Sequence, residues 1–198
     1  MCIRDSTEAA NIRMGQTVVI QGLGLLGLYG AAIAKARGAR TVIGLDTISG
    51  RRAQSLLFGV DLALDPDKTD RAALLKMVQA RCRPAGADVL IEVCGMPEAI
   101  PLGIDLLRVG GTYVLGGVVN PQAMVTIDAN LLLRKMLTLR GVHNYHPRNL
   151  IEALDFVAAN RQRFPFHDLV DGKYPLDRVN DAMADAAARR VLRAAIVP

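Results

Sequence analysis

Residues Thr17–Asp46 read TVVIQGLGLLGLYGAAIAKARGARTVIGLD, and they decide the fold. Thr17–Gln21 is a short β-branched run, which predicts a strand. Gly22-Leu23-Gly24-Leu25-Leu26-Gly27 follows directly, a G-x-G-x-x-G turn. Leu28–Arg37 is rich in Ala and helix formers, and Gly38 stands where a helix-ending glycine belongs. Thr41–Leu45 is a second strand-like run, and it ends in Asp46. A glycine hexapeptide alone also suits a tight turn with no ligand. Set between a strand and a helix, with an acid roughly 20 residues on, it fits the fingerprint of a dinucleotide-binding βαβ unit.

The physical roles are distinct. Gly22 permits the sharp turn out of the strand, Gly24 lets backbone approach a pyrophosphate, and Gly27 lets helix and strand pack closely. Leu25 and Leu26 complete the turn, and the phosphates then sit at a helix N-terminus, where free N–H groups and the positive end of the helix dipole favour an anion. Asp46 can accept hydrogen bonds from both hydroxyls of the adenosine ribose and repels a 2′-phosphate. NAD is therefore expected over NADP. Arg51 and Arg52, just beyond this strand, weigh the other way, because arginines there can serve a 2′-phosphate.

Working outward, the alternation continues. Helices are predicted at Arg51–Phe58, Lys68–Cys82, Pro97–Leu107, Pro147–Ala159 and Leu176–Ala188. Strands are predicted at Asp88–Val93 (DVLIEV), Thr112–Leu115, Leu137–Val142 and Val191–Val197. Strands that alternate with helices and are apolar throughout imply an α/β protein. The expectation is a Rossmann-type doubly wound parallel sheet with helices on both faces. Residues 14–142 are assigned to that domain, 143–198 to a C-terminal helix and strand segment, and 1–13 to a leader. The first six residues, MCIRDS, match nothing around them and are expected to lie outside the fold.

Composition narrows the function classes. Of the 198 residues 51% are hydrophobic and 22% charged, which excludes a disordered chain. The formal charge of +5 is spread over scattered pairs, and with four Tyr, four Phe and no Trp there is no stacking platform or basic stripe for nucleic acid. Arginines interrupt every long apolar stretch, so no membrane span is expected. The opening residues lack a signal-peptide pattern. Three widely spaced cysteines fit a reducing, cytoplasmic setting rather than a disulfide framework or Cys-rich zinc site.

Competing glycine-rich classes fail on inspection. No G-K-[ST] is present, so there is no Walker A loop. Short-chain dehydrogenases place a Lys four residues after a catalytic Tyr. Here Ile33, Gly117, Asn149 and Arg178 stand four residues after the tyrosines. A methyltransferase loop usually begins with an acid, where this chain has Gln21.

From about Thr7 to Pro198 the chain resembles the cofactor-binding and C-terminal part of the zinc-type medium-chain alcohol dehydrogenases. TVVIQGLGLLGLYGAAIAKARGARTVIGLD, FGVDLALDP, ADVLIEVCGMPEAI, LLRVGGTYVLGG, LTLRGVHNY and YPLDRVNDAM carry the resemblance by their order and spacing. The stretch GVHNYHPRNL is similar to a subgroup associated with phosphonate catabolism. The resemblance implies that Gly22, Gly24 and Gly27 hold the pyrophosphate and Asp46 the ribose, with Arg51 assisting. It places Val93, Cys94, Gly95, Gly117, Val118, Val142 and Asn144 around the nicotinamide and its ribose. It also matches Arg193 to an arginine that contacts the pyrophosphate.

Each assignment has an alternative. Arg51 also reads as part of a solvated face, Arg193 as part of the Arg189/Arg190 cluster, Cys94 as a small buried hydrophobe, and the Val and Gly positions as packing.

The family's GroES-like domain, which supplies the catalytic and structural zinc sites and the proton relay, has no counterpart in these residues. Residues 143–198 resemble the segment that packs back onto that domain. No catalytic and no metal-binding residue is assigned here. His143, His146 and His167 have no partners at ligand spacing, and the first two read as loop residues or caps. The expectation is the cofactor half of an NAD-dependent enzyme acting on a small alcohol or aldehyde, with zinc only in a full-length form and no turnover by this chain alone. The alternative is a stand-alone dinucleotide-binding or sensing module. By resemblance, Ala129–Met136 and Leu137–Arg140 form a homodimer contact. Phe156, Phe164, Phe166 and Leu169 are expected to form an exposed apolar patch.

Overall fold

A computed structural model describes residues 2–83, 85–121 and 123–198. The chain divides into two compact units, Met1–Phe156 and Val157–Pro198. The division falls after Phe156, rather than at the expected boundary after residue 142.

The first unit holds a six-stranded sheet of β1 (Thr17–Gln21), β2 (Thr41–Leu45), β3 (Leu62–Leu64), β4 (Ala87–Glu92), β5 (Leu107–Leu115) and β6 (Thr138–Gly141). The strand order is β3-β2-β1-β4-β5-β6, and every neighbouring pair is parallel. This is the doubly wound order, and its chain reversal lies between β1 and β4. The expected Rossmann-type sheet is present. Its helices are α1 (Cys2–Ala9), α2 (Leu25–Ala36), α3 (Ser49–Leu57), α4 (Arg71–Gln79), α5 (Ala99–Leu106), α6 (Ala129–Lys135) and α7 (Pro147–Asn160), the last of which runs across the division.

Burial explains the strands' composition. Val18, Ile20, Val42, Ile91 and Val114 pack into one cluster with Ala31 and Ala34 of α2. Their neighbours Val19, Ile43, Leu90 and Tyr113 pack into another with Leu74 and Val78 of α4 and Ile100 and Ile104 of α5. A strand covered on both faces needs apolar residues at every position, so the alternation seen in half-exposed strands is lost.

Helix ends follow local chemistry. Gly38, at φ +87°, closes α2, with the Gly38 N–H on the Lys35 carbonyl and the Ala39 N–H on that of Ala34. That is a Schellman cap. Asp70 starts α4 by accepting from the Ala73 N–H at 3.1 Å, so this helix begins later than the predicted Lys68.

The opening hexapeptide departs from expectation. Residues 2–9 form a helix, and Ile3 is fully buried. A Cβ on Gly30 of α2 would come within 3.1 Å of the Ile3 Cδ1, so α1 lies tightly on α2. Arg4 pairs with Glu152 at 2.6 Å. Partners so distant in sequence are invisible to a local reading. Met1 lies outside the described residues.

The second unit pairs β7 (Gly172–Pro175) with β8 (Ala194–Val197) in parallel, and α8 (Val179–Ala187) connects them. A 3-10 turn spans Phe166–Leu169. Phe164, Phe166 and Leu169 are buried, with the two rings 5.8 Å apart, and Phe156 of the first unit packs against its core. The expected exposed patch at these residues is therefore absent. Exposed apolar side chains lie instead at Leu150, Ile151 and Leu154 of α7 and at Leu176 and Met183. Among the described residues no helix is long and apolar enough to cross a membrane.

Candidate functional site

A doubly wound sheet opens a crevice at the carboxyl ends of its strands, where the strand order reverses. The loops after β1, β2, β4, β5 and β6 all leave from that edge. These loops, with the first turns of α2 and α3 that follow two of them, carry every sequence-predicted site residue except Arg193, which is exposed in the second unit.

The three glycines of the β1–α2 turn differ in what requires them. Gly22 has φ +94°, and a Cβ there would lie 2.8 Å from the Cys94 Cα and N. A Cβ on Gly27 would overlap the Gly22 carbonyl oxygen. Protein packing therefore demands both. Gly24 is different. Its φ of −70° suits any residue, and its nearest neighbour would be the Arg51 guanidinium at 3.6 Å, an ordinary contact. Among the described residues only the Arg51 guanidinium comes within 4 Å of where that Cβ would stand, so the space is open. Gly24 is the N-cap of α2 and has no side-chain cap. The first N–H groups of α2, at Leu25, Leu26 and Gly27, thus face the crevice end of a helix with no carbonyl partner of their own. That end suits an anion.

Asp46 directly follows the neighbouring strand β2 and is buried. One carboxylate oxygen accepts from the Leu23 N–H and the other from the Ile48 N–H, both at 2.8 Å. Each oxygen keeps a further lone pair for a ligand hydroxyl. Gly44 on β2 makes room for Leu23, since a Cβ there would come 2.7 Å from the Leu23 side chain. The two arginines have separate fates. Arg52 donates to the Asp46 carbonyl at 2.7 Å and pairs with buried Asp65 at 2.9 Å, so it is structural. Arg51 is half-buried, reaches the Asp46 carboxylate at only 3.9 Å and has its guanidinium beside Gly24.

Across the reversal, Val93, Cys94 and Gly95 follow β4, Gly117 and Val118 follow β5, and Val142 and Asn144 follow β6. The three valines are half-buried, packed on the core. Asn144 has φ +59°. Cys94 lies beyond the strand end and is exposed, so the alternative of a small buried hydrophobe does not hold for the whole residue. Desolvation first, and then the Glu92 carboxylate, push its thiol up to about 12. Its sulfur is more enclosed than the residue as a whole, which disfavours the thiolate.

Two residues escaped the sequence reading. Gln21 is buried; its amide donates to the Ala99 carbonyl at 2.8 Å and accepts from the Tyr113 hydroxyl at 2.6 Å. Burial pushes the Tyr113 hydroxyl well above the usual tyrosine range. Glu92 is wholly buried and accepts from the Gly95 and Gly117 N–H groups. Its one visible signal is an acid inside the apolar run DVLIEV.

Among the described residues no group of three or more His, Cys, Asp or Glu converges to hold a metal. His146 caps the start of α7: its N–H donates to the Asn149 side chain at 3.1 Å, and its ring nitrogen accepts from the Arg148 N–H at 3.2 Å. A separate polar hollow of about 220 Å³, lined by Arg13, Gln16, Asp88 and Arg108, lies at the opposite ends of the strands.

Proteins of known identity resemble this chain in sequence and in fold. D-xylulose reductase A of Aspergillus niger is 30% identical over 192 residues, 96% of this chain and 52% of that protein. A Thermotoga maritima alcohol dehydrogenase superposes with a TM-score of 0.94 at 29% identity, covering 100% of this chain and 54% of its own. A zinc-binding dehydrogenase from Sinorhizobium meliloti, solved bound to NADP, gives a TM-score of 0.88 at 26% identity, covering 100% of this chain and 56% of its own. The chain spans about half the length of the relatives it matches. The zinc-binding dehydrogenase pattern matches residues 26–159. With that match over more than half its length, the chain belongs to the zinc-binding dehydrogenase family.

Proposed function

We propose that this chain is the cofactor-binding portion of an NAD(P)-dependent zinc-type alcohol dehydrogenase. The observation that carries this is Gly24, a glycine that neither backbone strain nor packing requires, set at the uncapped N-terminus of α2. A pyrophosphate there meets backbone N–H groups with no side chain between. Asp46 accepts from the adenosine ribose, and Arg51 lies beside both. The loops after β4, β5 and β6 enclose the nicotinamide half, with Val93, Val118 and Val142 as apolar walls.

The bound dinucleotide supplies the hydride acceptor or donor for a small alcohol or aldehyde. The chain's own part is to bind and orient it. The described residues do not fit a zinc site, since His143, His146 and His167 are all exposed and none has the partners for one. Without such a set, the chain alone is expected to bind cofactor and not turn over. NAD is favoured by the Asp46 charge, whereas Arg51 and the NADP-bound relative point to tolerance of the 2′-phosphate. We further propose a cytoplasmic homodimer joined through 129–140, where the edge strand β6 leaves backbone groups unpaired, with no nucleic-acid or membrane partner.

Calorimetric titration with NAD and with NADP tests the assignment. Saturable one-to-one binding of either supports it, tighter for NAD. No heat with either refutes it. The burial of Phe164, Phe166 and Leu169 favours a second reading, a stand-alone dinucleotide-binding module. Alcohol oxidation restored by adding a separately produced catalytic domain decides for the first.

A further inference from the structure

We infer that Glu92 is a positioning residue for the nicotinamide end of the dinucleotide, acting through the two loops it ties together. The inference rests on the proposed cofactor role. Glu92 ends β4 with no exposed surface. Its Oε1 accepts from the Gly95 N–H at 2.6 Å, and its Oε2 from the Gly117 N–H at 3.1 Å. Among the described residues no ion pair to it is recorded. A buried carboxylate is costly, and this one is held by backbone donors from two separate loops.

The surrounding glycines have no spare room. Gly95 has φ +74°, and a Cβ on it would come 3.0 Å from the Gly117 carbonyl oxygen. A Cβ on Gly117 would lie 2.6 Å from the Glu92 Oε1 and 2.7 Å from the Gly95 N. Carboxylate and glycines therefore interlock, which ties the β4 loop to the β5 loop. The same β4 loop abuts the glycine turn, where a Cβ on Gly22 would strike Cys94. These loops lie across the strand-order reversal from Asp46. A dinucleotide spanning the crevice with its adenosine at β2 puts its other half there. Glu92 itself touches no ligand. Its role is to hold the far wall at the right distance, where small displacements matter.

The test compares ADP, which fills only the adenosine half, with NADH, which fills both, using equilibrium titration of the whole chain. Glu92→Gln keeps the shape, but its amide nitrogen cannot accept, so one of the two N–H groups loses its partner. The expected result is ADP affinity within about twofold of the parent and NADH affinity at least tenfold weaker. Gly117→Ala disturbs the same clamp from the loop side with the carboxylate intact, and the same split is expected. It serves if Glu92→Gln does not fold. Unchanged NADH binding in a folded variant, or equal losses for both ligands, overturns the inference while leaving the cofactor role standing. A parent chain that binds neither ligand overturns the cofactor role, and the inference with it.

Discussion

The substitution Gly24→Ala separates a glycine kept for a ligand from one kept for packing. The backbone at Gly24, φ −70° and ψ −169°, suits alanine, and the new methyl would have the Arg51 guanidinium as its nearest neighbour at 3.6 Å. At a helix N-cap, alanine is worse than glycine by about 0.5–1 kcal/mol. Loss of unfolded-state freedom returns about 0.4–1 kcal/mol. Stability should therefore change by no more than about 0.5 kcal/mol. The methyl would stand where the pyrophosphate approaches, so NADH affinity should fall at least tenfold, about 1.4 kcal/mol. Gly27→Ala is the contrast. Its Cβ overlaps the Gly22 carbonyl oxygen, and relief means parting α2 from β1. That should cost about 1–3 kcal/mol or more in stability. Urea unfolding and NADH fluorescence titration, run on both variants, read the two quantities separately. A loss above about 2 kcal/mol in Gly24→Ala, or full NADH affinity in that variant, refutes the reasoning.

Ile3→Ala should destabilise the chain by about 2–4 kcal/mol in urea unfolding, because Ile3 is fully buried on Gly30. Tyr113→Phe strips the Gln21 side-chain oxygen of its buried donor and should cost about 1–3 kcal/mol by the same measurement. Cys94, with its thiol raised to about 12 from 9.0, holds about a thousandfold less thiolate below pH 9 than an ordinary cysteine. Its alkylation, followed at the peptide level by mass spectrometry, should keep accelerating with pH past 9, and a plateau near 9 would contradict the desolvated site. Asp46→Asn turns one acceptor into a donor facing a backbone N–H and removes the charge near Arg51. The ratio of NADP to NAD affinity, measured by calorimetry, should rise at least fivefold.

The parts of this molecule that are local in sequence were legible there. Thr17–Gln21 and Thr41–Leu45 were predicted at their observed bounds, since a strand buried on both faces shows as an unbroken β-branched run. The roles of Gly22 and Gly27 follow from spacing, and their crowded surroundings agree. What was missed depends on distant partners. Leu62–Leu64 is too short to stand out, yet it pairs with β2. Leu107–Leu115 was read only as Thr112–Leu115, because Gly110 and Gly111 break the pattern at a shift in register against β4. The Ile3 helix needs Gly30 and Glu152 to explain it. Glu92 looks like a stray acid until the two loops that donate to it are in place. Phe164, Phe166 and Leu169 look from the sequence like residues waiting for a partner, yet they are buried, the last two in a 3-10 turn that no local pattern announces.

The central claim is that a dinucleotide binds at the carboxyl ends of β1, β2, β4 and β5. The most direct measurement is an amide NMR titration of the isotopically labelled chain with NADH. The resonances of Gly24–Gly27, Asp46, Gly95 and Gly117 should shift together and saturate at one equivalent. Shifts confined to the polar hollow at the other strand ends, around Arg13, Gln16 and Arg108, or no shifts at millimolar NADH, would contradict it.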